Sequence, residues 1–109
     1  MATYHVAIRS AAVAGREADY EQWYNSTHLG EVLQVGGFIS GQQFRLPETS
    51  AEGHTHVAIF ELESDDPAAS LAELGETFAS GQMTLTDALD VDIPASADVL
   101  APTGAAQQR

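Results

Sequence analysis

His28 stands four residues after Tyr24, inside the run Tyr20-Glu21-Gln22-Trp23-Tyr24-Asn25-Ser26-Thr27-His28-Leu29. Residues four apart on a helix share a face, so an imidazole and a phenol project together. Such a pair can move a proton. The histidine would be a general acid or base for enolisation or ring closure, typically contributing about 10²–10⁴-fold in rate, and the tyrosine a hydrogen-bonding partner for the ligand. Near a helix C-terminus the dipole favours imidazolium, which would keep His28 available as an acid near neutral pH. The competing reading is structural: a histidine that caps the helix end or packs on an aromatic neighbour. His5 and His56 place two more imidazoles on candidate strands, one able to serve as base while the other orients substrate or holds a water. Bonded to each other or to a helix residue, they would be structural. His54 and His56 have the spacing of a zinc or copper pair, but no carboxylate or third histidine is aimed there, and no metal is expected.

These groups need elements to hold them. Thr3–Arg9 is β-rich and short, a first strand. From Arg16 to about Leu29 the period changes: Tyr20, Trp23, Tyr24, Thr27 and His28 recur at helical spacing, with acids near the start and Gly30 as the stop unless Glu31–Val35 adds another turn before Gly36-Gly37. Phe38–Leu46 is the second strand, ended by Pro47, and His54–Glu63 the third. Asp66 caps and Pro67 opens a second helix that runs to about Ser80 with Leu71, Leu74 and Phe78 on one face. Residues 82–90 have the makings of a short extra helix, and residues 97–103 form a last strand. The order β-α-β-β-α-β over residues 1–103, with a loose tail at 104–109, is a ferredoxin-like α+β domain with a four-stranded antiparallel sheet and both helices on one face.

Alternation then divides the sheet. Tyr4, Val6 and Ile8 face one way on strand one, and Val57 and Ile59 are taken to share that face; His5, Ala7, His56, Ala58 and Phe60 take the other. The β-branched face would pair with a second copy of the chain in a homodimer. The histidine face would lie under the helices, where small Ala7 and Ala58 leave room. Tyr20, Trp23 and Tyr24 would close that room from above, giving an apolar pocket for a small apolar or aromatic metabolite. Arg45 would clamp a ligand carboxylate or pair with a surface acid.

Composition removes whole classes of chemistry. The 109 residues contain no Cys, so thiolate nucleophiles, disulfides and Cys-based metal centres are excluded. The four cationic side chains are all Arg, so no lysine Schiff base can form. No phosphate-binding glycine loop is present, and no cofactor is expected. With 16 Asp+Glu and a net charge of −12, nucleic acid and anionic membranes are poor partners. No secretory signal or membrane-length apolar run is read, which gives a cytoplasmic expectation.

The stretch from Tyr20 through Trp23-Tyr24, His28-Leu29 and Gly37-Phe38 to Arg45 resembles the dimeric α+β barrel superfamily, most of all its EthD-like branch. That branch carries W-Y and H-L on a helix, then P-G-F and a strand with R; here Gly36 takes the place of the proline. His54-Thr55-His56-Val57 is also similar to the T-H-[IV] strand of plant-type stress-responsive barrels, the group of a polyketide cyclase. The resemblance implies the fold, the dimer and a choice of activities. Proton transfer in a cyclase, isomerase or lyase on a polyketide-like or aromatic carbonyl or phenolic compound is the favoured expectation. A cofactor-free monooxygenase and a non-catalytic binder of a hydrophobic metabolite are the alternatives.

Overall fold

The computed structural model describes residues 2–109. Four strands, β1 (Ala2–Ser10), β2 (Phe38–Arg45), β3 (His56–Ser64) and β4 (Ser96–Leu100), form one antiparallel sheet in the order β2-β3-β1-β4. The first helical stretch is continuous but not uniform. It comprises α1 (Glu17–Trp23), a π-helical turn (Tyr24–His28) and α2 (Leu29–Val32). The other helix, α3 (Pro67–Ala79), begins as its sequence dictates: the Asp66 side chain accepts a hydrogen bond from the Ala69 N–H, and Pro67 occupies the first turn. This is the ferredoxin-like α+β arrangement.

The first helical stretch runs past Gly30 to Val32, so Gly30 does not stop it. Glycine in a helix costs only about 1 kcal/mol relative to alanine, and Val32 repays it by burying completely. Residues 82–90 form turns rather than a helix. They are held by backbone pairs to the segment after β1, with Val13 N–H donating to Ala88 O at 2.7 Å and Asp90 N–H to Ala11 O at 2.9 Å.

Register corrects the division of the sheet. In an antiparallel pair, residues opposite each other point to the same side. Ile8 stands opposite Ala58, Val6 opposite Phe60 and Ser10 opposite His56. Tyr4, Val6 and Ile8 therefore share the helix-covered face with His56, Ala58 and Phe60. His5, Ala7 and Arg9 lie on the uncovered face with Val57, Ile59 and Glu61. His5 and His56 point to opposite sides of the sheet. The alternation was sound within each strand, but its phase between strands was taken one residue out.

The core lies between sheet and helices: Val6, Phe60 and Leu62 from the sheet pack with Tyr20, Tyr24 and Val32. The turn into β2 is tight. Gly37 has φ +93°, and a Cβ there would fall 2.6 Å from the Glu63 carbonyl oxygen. Gly37→Ala is therefore expected to destabilise the fold by about 2 kcal/mol or more, combining left-handed strain with a backbone collision. The check is a urea titration, where the midpoint should fall with no change in slope.

Candidate active site

A cavity of about 280 Å³ opens between the helices and the β1–β4 half of the sheet. Its floor is Ile8, Ser10 and Ala97, and its helical wall is Tyr20, Trp23, Tyr24, His28 and Val32. Leu71, Leu74, Gly75 and Phe78 of α3 form the opposite wall, and Leu89 and Ala95 close the end. Apart from the hydroxyls and one imidazole, the lining is apolar.

His28 owes its setting to the π turn. In an α-helix, residues five apart are separated by about 140° around the axis and do not meet. Here the Leu29 N–H reaches back five residues to Tyr24 O, and the widened turn lays the His28 ring on Trp23 with centroids 4.6 Å apart and planes 17° apart. Tyr24 meets His28 edge-on at 4.8 Å and Phe78 meets it at 5.8 Å. His28 is 8% exposed, and its Nδ1 is sealed from solvent with no hydrogen-bond partner among the described residues. Burial pulls its pKa down to about 4, with the Glu31 carboxylate pulling weakly the other way. At neutral pH it is a neutral imidazole. The expectation of an imidazolium at a helix end is thus corrected, because the helix continues past His28 and desolvation outweighs the dipole.

Tyr20 and Tyr24 differ in what they offer. The Tyr20 hydroxyl is paired with the Ser10 hydroxyl, while that of Tyr24 has no partner among the described residues. Burial raises the pKa of both phenols, so both keep their protons. Tyr24 is the free donor next to His28.

The other residues singled out from sequence lie elsewhere. His56 is fully buried in the core. Its Nε2 lies 2.8 Å from the Glu21 carboxylate and its Nδ1 2.7 Å from the Thr55 hydroxyl, which also accepts the Ala12 N–H. One proton arrangement satisfies every group: Thr55 O–H donates to Nδ1 and Nε2–H donates to Glu21. Arg45 donates its Nε–H to the same Glu21 oxygen at 2.5 Å, so it is turned to a protein acid and away from the cavity. Phe60 packs on Phe38, and Ala58 lies sealed in the core. Neither lines the cavity, and Ala7 and His5 are on the far face of the sheet. His54 precedes β3 and gives its Nε2–H to the Pro94 carbonyl at 2.8 Å, so it does not act in concert with His56. The α3 wall was legible in the spacing of Leu71, Leu74 and Phe78. Leu89 and Ala95 come from a segment with no periodicity to betray them.

The fold has counterparts among solved structures. The heme-degrader MhuD from Mycobacterium tuberculosis superposes with TM-score 0.67 at 15% identity, covering 95% of this chain and 99% of that one. A monooxygenase candidate from Shewanella loihica PV-4 gives TM-score 0.62 at 12% identity over 95% and 97%. The shared arrangement is the ferredoxin-like α+β fold. An ethyl tert-butyl ether d (ethd) family protein from Bacillus halodurans also matches, at TM-score 0.46 and 11% identity over 94% and 100%. At these identities the likeness to this chain is one of fold. No protein-family model matches the sequence, and no curated protein does.

The Glu21 network has a measurable consequence. Arg45 first, and His56 second, hold the Glu21 carboxyl down at about 2, below its ordinary 4.5. Its contribution to stability is complete above pH 4.5 and is lost as the pH falls toward 2. Glu21→Ala would leave a buried imidazole N–H without an acceptor, at a cost of about 1–3 kcal/mol. The variant should unfold at lower urea and lose part of the acid dependence seen in the parent.

Proposed function

We propose that this chain is a small cofactor-independent enzyme in which neutral His28 takes a proton from an apolar carbonyl or phenolic ligand, polyketide-like or aromatic, and returns it. The single observation behind this reading is His28 in the wall of an apolar cavity, with no hydrogen bond among the described residues on either ring nitrogen. Nδ1 is closed to solvent and so to a ligand, which would offer its proton to Nε2.

The chemistry follows from the surroundings. A base held near pKa 4 is weak while the site is empty. A ligand oxyanion within about 4–6 Å raises its proton affinity. Imidazolium and enolate or phenolate therefore form together and stabilise each other in a dry pocket. Tyr24 O–H is placed beside the histidine to donate to that oxyanion. Returning the proton to another atom of the ligand completes a cyclisation, isomerisation or lyase step. If the anion reacts with dioxygen instead, the same site is a monooxygenase, and oxygen uptake separates the two. A hydrophobic-metabolite binder would need neither.

Haem, bound by the heme-degrader of the same fold, does not suit this lining. The cavity wall holds no Arg to take two propionates, and Arg9, Arg16 and Arg45 are paired with Asp98, with Asp19 and Asp87, and with Glu21.

The proposal includes a cytoplasmic homodimer packed through the uncovered sheet face. Val57 and Ile59 lie there with Phe44 and Leu100, which are 44% and 48% exposed. No helix of the described residues is long and apolar enough to cross a membrane. Ile59→Asp should give a monomer by sedimentation where the parent sediments as a dimer; a monomeric parent would end this part of the proposal.

Catalysis is tested without knowing the substrate. Native mass spectrometry of fresh protein looks first for a retained ligand. Solvent-deuterium exchange into 2-tetralone, followed by NMR, then reads the base directly. His28→Ala should slow exchange by about 10²–10⁴-fold. Because the neutral ring is the active form, the rate should rise with pH through about 4 and be flat across neutrality. A rate that falls as the pH rises through 6.5 would mean that the imidazolium acts, and would overturn the proposal.

A further inference from the structure

The far wall of the cavity is built differently from the near one. The helix that carries His28 buries Tyr20, Tyr24, His28 and Val32, whereas α3 has no buried residue. Leu71, Leu74 and Phe78 hold it to the core while only partly buried, and these are the residues that face the cavity. A second cleft, of about 430 Å³, separates α3 from α2, with Glu73 and Thr77 on one side and Glu31 on the other. A Cβ added at Gly75 would meet nothing within 4 Å. Empty space therefore lies on both flanks of α3.

What closes α3 down is a single residue, Thr84, five positions past its C-terminus. Thr84 N–H lies 3.0 and 3.1 Å from the two Glu31 carboxylate oxygens, and its hydroxyl donates to the nearer at 3.1 Å. Its carbonyl accepts the Trp23 indole N–H at 3.0 Å. Both partners flank His28: Trp23 stacks on it and Glu31 follows it by three residues. Gly81, at φ +81°, supplies a left-handed joint between α3 and this contact. Beyond it, Ala88 and Asp90 are pinned to the segment after β1.

We infer that α3 is the movable wall of the cavity and that Thr84, clasped by Glu31 and Trp23, is the latch that holds it shut over His28. Ligand enters when the latch opens and α3 swings away. This rests on the cavity being the ligand site, but the motion itself can be read in the empty protein. Few buried contacts and a wall bordered by space are the marks of a segment that opens below the global unfolding free energy.

The test uses Glu31→Ala, which removes the latch acceptor at a residue outside the cavity lining. Glu31→Gln keeps one acceptor oxygen and serves as the rescue. By amide hydrogen exchange of the free protein, α3 and Thr84 should exchange together, faster than β1 and β3. Glu31→Ala should accelerate the α3 group by about tenfold and leave the sheet unchanged. In stopped-flow mixing with 1-naphthol, followed by Trp23 fluorescence, the association and dissociation rate constants should both rise by about that factor, with little change in Kd. Glu31→Gln should restore wild-type rates. Uniform acceleration across sheet and helix would make Glu31 merely structural and overturn the latch. So would a faster dissociation with unchanged association, which marks a direct ligand contact. If α3 exchanges as inferred but no naphthol binds, the wall moves as described and the assignment of the ligand site fails.

Discussion

Ile8 lies opposite Ala58 across the β1–β3 pair, and every other placement in this protein inherits from that register. Slipping it by one residue would turn Val6 and Phe60 to opposite sides and dissolve the core. With the register as it stands, one face receives the large apolar residues of β1 and the small and aromatic residues of β3, and the helices settle on it. The other face keeps Arg9 and Glu61 beside Val57 and Ile59, too mixed for a core and too apolar to be indifferent to company.

The same register decides the fates of the two strand histidines, His5 and His56. His56 falls opposite Ser10, beneath the first helix, where a fully buried imidazole must have both nitrogens satisfied. Glu21 and Thr55 do this, and through Arg45 and Ala12 the chain of bonds ties the first helix, β2, β3 and the turn after β1 into one unit. His5 is turned outward by parity. His54 secures a loop. His54 Nδ1 is likewise buried without a partner among the described residues, but only the His28 ring is set into the cavity wall. Burial alone therefore does not mark the chemistry; an unanswered hydrogen-bonding group next to space does.

Much of this was legible in the residues. Element order, the Asp66-Pro67 helix start, the aromatic stripe ending at His28 and the Gly36-Gly37 turn all follow from local chemistry, and the structure contains them. Phase between strands was not legible, because alternation fixes which side chains share a face within one strand and leaves the partner strand free to slip. That one ambiguity moved His5 and Ala7 into the site and Ile8 and Ser10 out of it. The π turn was invisible for another reason: a helical stripe at i, i+3, i+4 looks the same with one residue added to a turn. Yet that addition brings Trp23 and His28 face to face and carries the helix beyond the end at which a charged imidazole was expected. The contribution of residues 82–90 lies in backbone pairing, which composition does not encode.

The space on both sides of α3 also has a mechanical meaning. Volume left dry in the folded chain vanishes when water fills it, so hydrostatic pressure acts most strongly on the apolar cavity lined by Leu71, Leu74 and Phe78. The sheet and its aromatic cover are close-packed and will resist. The half of the molecule between α3 and the first helix is the compressible half. Moderate pressure should therefore open this protein along one seam, emptying helix from core while the sheet stays folded, and divide a single small domain into a rigid part and a soft one.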